Sequence, residues 1–426
     1  VRSTSPSPLS DRRPRFGLGA SYEGDGDDGG EDAPPTRREQ YHRILGSAYP
    51  PGTPPGLRGE AVRSALRSDR GVCLDFTATT SSSSSSSYST EECLNVGCVK
   101  VEGEGAIDFL NNKFTNTFRS ERGTTTQGAG ARTRTTGSLA EACLLTPRGR
   151  AVDRIAIPTL PSDTEDGQTD AYLLTSPGHA GSALFDRLDP LIFPLDGVKL
   201  TDLCPGDGDG DAGAKKKTRV MTLAATKIRN VQGQIRKFVL PLLGQSIASR
   251  FAFPPEGNSA RYRDSSRNLD LVVLPTTFLP GCVAVGYTLI LTEPSDSSSS
   301  TSSSSSSIAD RIWDTLVDED NLEGPVELGP AEYESLRIEG GMAGFGCEMT
   351  GEEREAGDAA LAGGAIATTA AGTKASPLEL NLDSIVDVDK GCYLGQEGVS
   401  ALLKNKRGVP RTLYSVVFKD ESNEFE

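Results

Sequence analysis

The sequence predicts an α+β fold in which strands and helices interleave, and three observations carry that reading. Cys98 to Val101 alternates as a short strand and leads into a helical stripe of Ile107, Leu110, Phe114 and Phe118, spaced by three and four. Two apolar runs, Ala142 to Leu145 and Ala151 to Ile157, flank Pro147-Arg148-Gly149 and read as a hairpin. A strand at Ala171 to Thr175 then precedes a helix that uses Leu184 and Leu188. The two kinds of element alternate rather than segregate.

The second half continues the pattern. Val220 to Ala225, Phe238 to Leu243, Leu269 to Leu274 and Cys282 to Leu291 are β-like by composition. Ile308 to Val317 repeats Ile308, Ile312 and Leu316 as a helix with Trp313 at its edge. Pro330 at a start and Gly340-Gly341 past an end bracket another helix, which delivers Arg337 and Glu339 beside a glycine turn. Val399, Leu402 and Leu403 predict a last helix from Gly395 to about Lys404.

At 426 residues the chain has room for two or three domains. Ser81 to Ser87 is unbroken serine, Gly206 to Lys217 is a Gly/Asp run closed by lysines, and Gly351 to Lys374 is rich in Ala, Gly and Thr. Such stretches lack the apolar area to offset chain entropy. The expected organisation is a disordered tail over 1–70, an ordered region over 71–403, and 404–426 as the start of a further domain. Low-complexity inserts are expected at 79–92, 119–138, 204–219, 295–307 and 350–377.

The net charge of -15 argues against nucleic-acid binding, which needs clustered cations. Lys404, Lys406, Arg407 and Arg411 form a local cationic cluster, either a solvated turn or a seat for an anionic group. Eight cysteines without CxxC spacing and only two histidines, His42 and His179, argue against a zinc site or a His-based triad, so no metal is expected. The thiols are expected to be mostly free, in a reducing compartment. No run reaches the length of a membrane span, so no membrane partner is expected. Val1 to Ser21 carries four arginines, several serines and one acid, the character of an organelle transit peptide.

Residues 390 to 397 read Lys-Gly-Cys-Tyr-Leu-Gly-Gln-Glu, which sets Cys392 at a Gly-hinged turn opening into the last helix. Free helix amides and Lys390 both favour a thiolate there, the setting of a reactive or liganding cysteine. The plain alternative is a small buried hydrophobe.

The octad resembles the signature of the YgfZ/GcvT folate-binding family. Three further segments resemble that family's in order: Gly103 to Asn116, Thr146 to Asp153, and Leu336 to Cys347. The resemblance covers about residues 71 to 418. It implies a folate-binding fold of interleaved strands and helices around a central cavity, with 404–426 opening a C-terminal β-barrel that lies mostly beyond Glu426. It implies tetrahydrofolate as the cofactor, and iron-sulfur cluster assembly factors or client iron-sulfur enzymes as partners. Cys392 and Lys390 become the candidate reactive pair. Thr115, Asn116, Arg337, Glu339, Tyr393, Gln396 and Glu397 become candidate folate contacts. By their own chemistry Thr115 and Asn116 are equally a polar helix cap, and Arg337 and Glu339 a surface salt bridge.

The expected function is a folate-binding accessory protein for iron-sulfur enzymes. One alternative is a tetrahydrofolate-dependent one-carbon transferase using Asp153; another is a non-catalytic interaction module. The transferases of the family pair two aspartates after the hairpin glycine, whereas here the pair reads Asp153-Arg154. Their later Gly-Tyr segment supplies an acid, whereas Gly286-Tyr287-Thr288-Leu289 has none. The hairpin wording resembles plastid homologues, which makes the chloroplast the expected location and the mitochondrion the alternative.

Overall fold

A computed structural model of the chain describes residues 62–77, 94–119, 125–128, 132–162, 168–204, 216–294, 307–318, 323–349 and 375–414. The candidate transit peptide, the serine runs, most of the Ala/Gly/Thr-rich insert over 350–377 and residues 415–426 of the expected barrel lie outside them.

Twelve strands join in one sheet among the described residues. They are β1 (Val72–Asp75), β2 (Cys98–Glu102), β3 (Thr125–Gly128), β4 (Arg132–Leu145), β5 (Ala151–Pro161), β6 (Thr169–Leu174) and β7 (Lys199–Asp202). The rest are β8 (Lys216–Ala225), β9 (Asn258–Asp264), β10 (Leu269–Pro275), β11 (Val285–Pro294) and β12 (Val326–Glu327). Their order is β12-β1-β8-β11-β10-β9-β4-β5-β6-β2-β7, with β3 paired to β4. Among these strand pairs only the short β1–β12 pair is parallel.

The two-residue alternation of each strand shows how this long sheet curls. Val220 and Ala224 of β8 and Val272 and Leu274 of β10 share one core with Leu160 of β5, Tyr172 and Leu174 of β6, and Cys98 of β2. Strands from opposite halves of the sheet thus face each other across a common interior. Their alternate residues point outward into two separate cores. Met221, Leu223, Leu271 and Leu289 pack under α4 (Ile308–Val317) and the helices over 228–248. Val99, Val101, Leu144 and Leu173 pack under α1 (Ala106–Lys113) and α2 (Gly181–Leu188). The result is a mixed α/β body whose curled sheet carries helices on its outer faces.

Several expectations need correction. Phe238 to Leu243 is helical, continuing α3 (Ile228–Gln234) through a π-helical Ile235–Val239 and Leu240–Leu243. Val231, Ile235, Val239, Leu243 and Ile247 recur every fourth residue and all are buried in one core. A six-residue window is too short to reveal that period. Order also begins before residue 71, since residues 62–67 are helical and bury Val62, Ala65 and Leu66. The expected insert at 119–138 contains β3 and the start of β4. The strand expected from Cys282 begins at Val285, and Cys282 is exposed. The remaining helices, α5 (Pro330–Glu339) and α6 (Gln396–Leu403), fall where their brackets place them.

Candidate functional site

Helix α1 stops at Lys113, before the Phe114 and Phe118 of its apolar stripe. Phe114 turns extended and bridges to Leu144 of β4, which buries its ring completely. The chain then needs partners for the carbonyls at the helix end. The segment running into the octad supplies them. Leu394 N–H donates to Asn112 O at 3.0 Å, and Asp387 N–H to Thr115 O at 2.9 Å. Lys390 Nζ donates to Phe114 O at 2.8 Å and also to Asn116 O. Its ammonium lies 6.0 Å from the Phe118 ring centre and 5.3 Å from that of Tyr393. Burial pushes the Lys390 pKa down to about 8, against the opposing pull of Asp387.

The other side of the octad docks on the hairpin turn. Gly395, at φ +84°, caps α6. A Cβ there would lie 2.4 Å from Thr146 O, and one on Gly398 would lie 2.3 Å from Arg148 O. A Cβ on Gly149 would in turn meet Gly395 O at 2.7 Å. Turn and helix start therefore touch backbone to backbone, which only glycine permits. This is the physical reason for glycines in both segments.

The segment over 336–347 reaches the same strand from elsewhere. Arg154 Nη2 donates to Thr277 O at 2.6 Å and lies 2.9 Å from Met342 Sδ. Phe345 stacks on His179 with ring centres 4.1 Å apart and planes within 3°. His179 Nδ1 lies 2.7 Å from Asp153 Oδ2. All four sequence segments thus converge on the β4–β5 hairpin and its flanks.

Cys392 is exposed, on the irregular stretch just before α6. The backbone N–H of Gln396 donates to Tyr393 O at 3.2 Å, the residue is half-buried, and Glu397 is exposed. Tyr393 is buried among Leu145, Met349 and Val399, and burial raises its pKa. Thr115 is fully buried and serves as a bracket. Its hydroxyl donates to Ile385 O at 2.8 Å and accepts from Cys143 N–H at 2.8 Å. Asn116 donates from Nδ2 to Glu141 O at 2.8 Å and accepts from Thr117 N–H.

Asp153 is completely buried, and both its oxygens are engaged. Oδ1 accepts from Arg154 N–H at 2.7 Å, while Oδ2 faces His179 and Ser176 N–H. It is placed to hold His179, away from solvent. Arg337 is buried, and its guanidinium is taken by Glu334, Glu348 and Met342 O. Glu339 forms a half-exposed ion pair with Arg63 at 3.6 Å. Both therefore make the salt bridges that their own chemistry allows. In the cationic cluster, Lys404, Lys406 and Arg407 are exposed while Arg411 pairs with Glu379.

Sequence reasoning missed His179, Glu141 and Thr277. His179 sits in a loop after a strand, with no helical spacing to Asp153. Glu141 is one acid inside an apolar strand, and only that contrast marks it. A cleft of about 580 Å³ beside Glu102, Phe193 and Lys199 is lined by none of the candidate folate or thiol residues. No helix of the described residues is long and apolar enough to cross a membrane.

No protein-family model matches the chain, and no curated protein matches it. Among solved structures, the chain is similar to the glycine cleavage system aminomethyltransferase T from Bartonella henselae, over 82% of this chain and 67% of that one. The sequence identity is 13% and the TM-score 0.47, a likeness that carries no functional argument.

Proposed function

We propose that the chain is a folate-binding accessory protein for the assembly or maintenance of iron-sulfur enzymes, with Cys392 as its critical thiol. The observation that carries the reading is the clamping of the octad. Lys390, Asp387 and Leu394 lock it to the end of α1, and Gly395 and Gly398 seat it on the hairpin, yet Cys392 between these anchors stays exposed. A thiol held on a rigid support and open to solvent is placed to react with something outside the chain.

A polar cluster around Arg154, on the β4–β5 ladder, fits a reduced folate. Glu141 Oε1 and Thr277 Oγ1 are both buried without a hydrogen bond, and both residues contact the Arg154 guanidinium. Buried polar atoms cost free energy until a partner arrives, and a polar heterocycle supplies partners. Tetrahydrofolate would be held by Arg154, Glu141 and Thr277 beside Met342, and its chemistry when bound is the carriage of a one-carbon unit. Cys392 would handle sulfur, iron or a one-carbon adduct beside it. Iron-sulfur assembly factors or client enzymes are the partners, and the chloroplast is the location, with the mitochondrion as alternative.

The transferase reading fares less well because Asp153, the carboxylate it needs, is committed to His179, Ser176 and Arg154. An interaction module would bind no folate, and calorimetry with tetrahydrofolate separates it from both. The test of the proposal is complementation in cells lacking the protein. Cys392→Ala should fail to restore an iron-sulfur enzyme, and full restoration would overturn the assigned role.

A further inference from the structure

We infer that Glu141 is the residue that reads the ligand, by taking the N–H and exocyclic amine of an aminopyrimidinone edge while Arg154 donates to the adjacent carbonyl. The inference rests on the folate reading for the site but follows from buried oxygens that make no hydrogen bond. Glu141 lies on β4, diagonally across the ladder from Arg154, whose direct partner is Cys143. Its Oε1 is 3.4 Å from Arg154 Nη1, close enough for charge attraction, yet it forms no hydrogen bond. The other terminal nitrogen, Nη2, is anchored on Thr277 O, which fixes the guanidinium plane. Thr277 itself keeps an unpartnered buried hydroxyl. Two orphaned oxygens thus accompany one fixed cation.

Ionised carboxylates only accept hydrogen bonds, so Oε1 calls for a donor, and guanidinium groups only donate, so Arg154 calls for an acceptor. A ligand meeting both must show donors and an acceptor side by side on one planar edge. An aminopyrimidinone does so. Two sources carry that edge, a reduced pterin and a guanine base, and the folate reading selects the first. The location suits it as well. Asn116 Nδ2 donates to the Glu141 backbone carbonyl and the Asn116 carbonyl accepts from Lys390, so hydrogen bonds tie the backbone of β4 at Glu141 to the segment that carries Cys392.

The test is calorimetric titration of the full chain with folinic acid, with a folinic acid analogue lacking the exocyclic amine, and with guanosine monophosphate. Glu141→Gln, which swaps one acceptor oxygen for a donor, and Thr277→Val are compared with the parent protein. Folinic acid should bind the parent, and Glu141→Gln should weaken it about tenfold or more. The analogue should bind the parent weakly and lose little further in Glu141→Gln, the pattern of a direct contact. Thr277→Val guards against a folding artefact, since it removes one orphan hydroxyl at nearly constant shape and should give a smaller loss. Equal folinic acid affinity in parent and Glu141→Gln would overturn this inference and leave the folate reading standing. Guanosine monophosphate binding that depends on Glu141, without folinic acid binding, would keep the edge recognition and overturn the folate reading. Absence of binding by all three overturns both.

Discussion

Lys390 and Phe114 are joined by a 2.8 Å hydrogen bond from the ammonium to the backbone carbonyl, across 276 positions of sequence. The bond makes the octad a clasp on the end of α1. Together with Asp387 N–H on Thr115 O, it also explains why Phe114 and Thr115 can leave the helix while their carbonyls stay satisfied.

Replacing Lys390 should therefore loosen two segments together. Lys390→Met should lower stability by about 1–3 kcal/mol, the cost of stranded carbonyls. Because burial holds the folded value near 8, below the usual 10.5, the folded protein sheds this proton first. Parent stability should then rise with pH between about 8 and 10.5 relative to Lys390→Met. Denaturant midpoints across that range check both points.

The docking of the turn on α6 makes a paired prediction. Alanine normally stabilises a helix over glycine by about 1 kcal/mol, but in Gly398→Ala the new methyl meets Arg148 O at 2.3 Å. Overpacking of that kind should cost about 1–3 kcal/mol net. Gly391→Ala, with nothing within 4 Å of its new methyl, should stay within about 0.5 kcal/mol of the parent. Thermal unfolding of the two variants side by side is the measurement.

Glu379 predicts an acid-sensitive C-terminal segment. Burial works against its carboxylate, but the Arg411 guanidinium, Ser376 N–H and Arg150 outweigh it and hold the pKa below 4.5. A depressed folded value gives stability that is present above 4.5 and lost as pH falls through the folded value. Hydrogen exchange over 375–414 should accelerate below that pH in the parent. In Glu379→Gln it should be fast already at neutral pH.

Asp153 and His179 should matter for folding more than for reaction. Removing one partner of a buried hydrogen-bonded pair costs about 1–3 kcal/mol. Asp153→Asn should therefore lose stability on that scale, whereas Cys392→Ala, at an exposed site, should fold as the parent does. Equilibrium unfolding distinguishes this from a transferase, in which Asp153→Asn would fold normally and lose turnover alone.

Local signals proved legible where they were punctuated. The Pro330 and Gly340 brackets enclose α5, and Gly395 opens α6 at φ +84°, because these residues act through their own backbone. The end of α1 was not legible. Its apolar spacing runs on to Phe118, and what stops it is a bridge to Leu144 and the clasp from Lys390, both distant in sequence. The same holds for Arg337, whose partners Glu334 and Glu348 come together only through the turn beyond α5. The octad stood out at once, whereas the orphaned oxygen of Glu141 exists only once β4 and β5 pair.

Alkylation of Cys392, followed by mass spectrometry with and without a reduced folate, tests the central claim most directly. A small-molecule thiol labelled in the same tube provides the rate reference, because Cys282, also exposed, lies beside Gly340 and close in sequence to Thr277. A thiol bordering a folate site should be shielded severalfold by saturating folinic acid while the reference thiol keeps its rate. Equal labelling of Cys392 in both conditions would contradict the account.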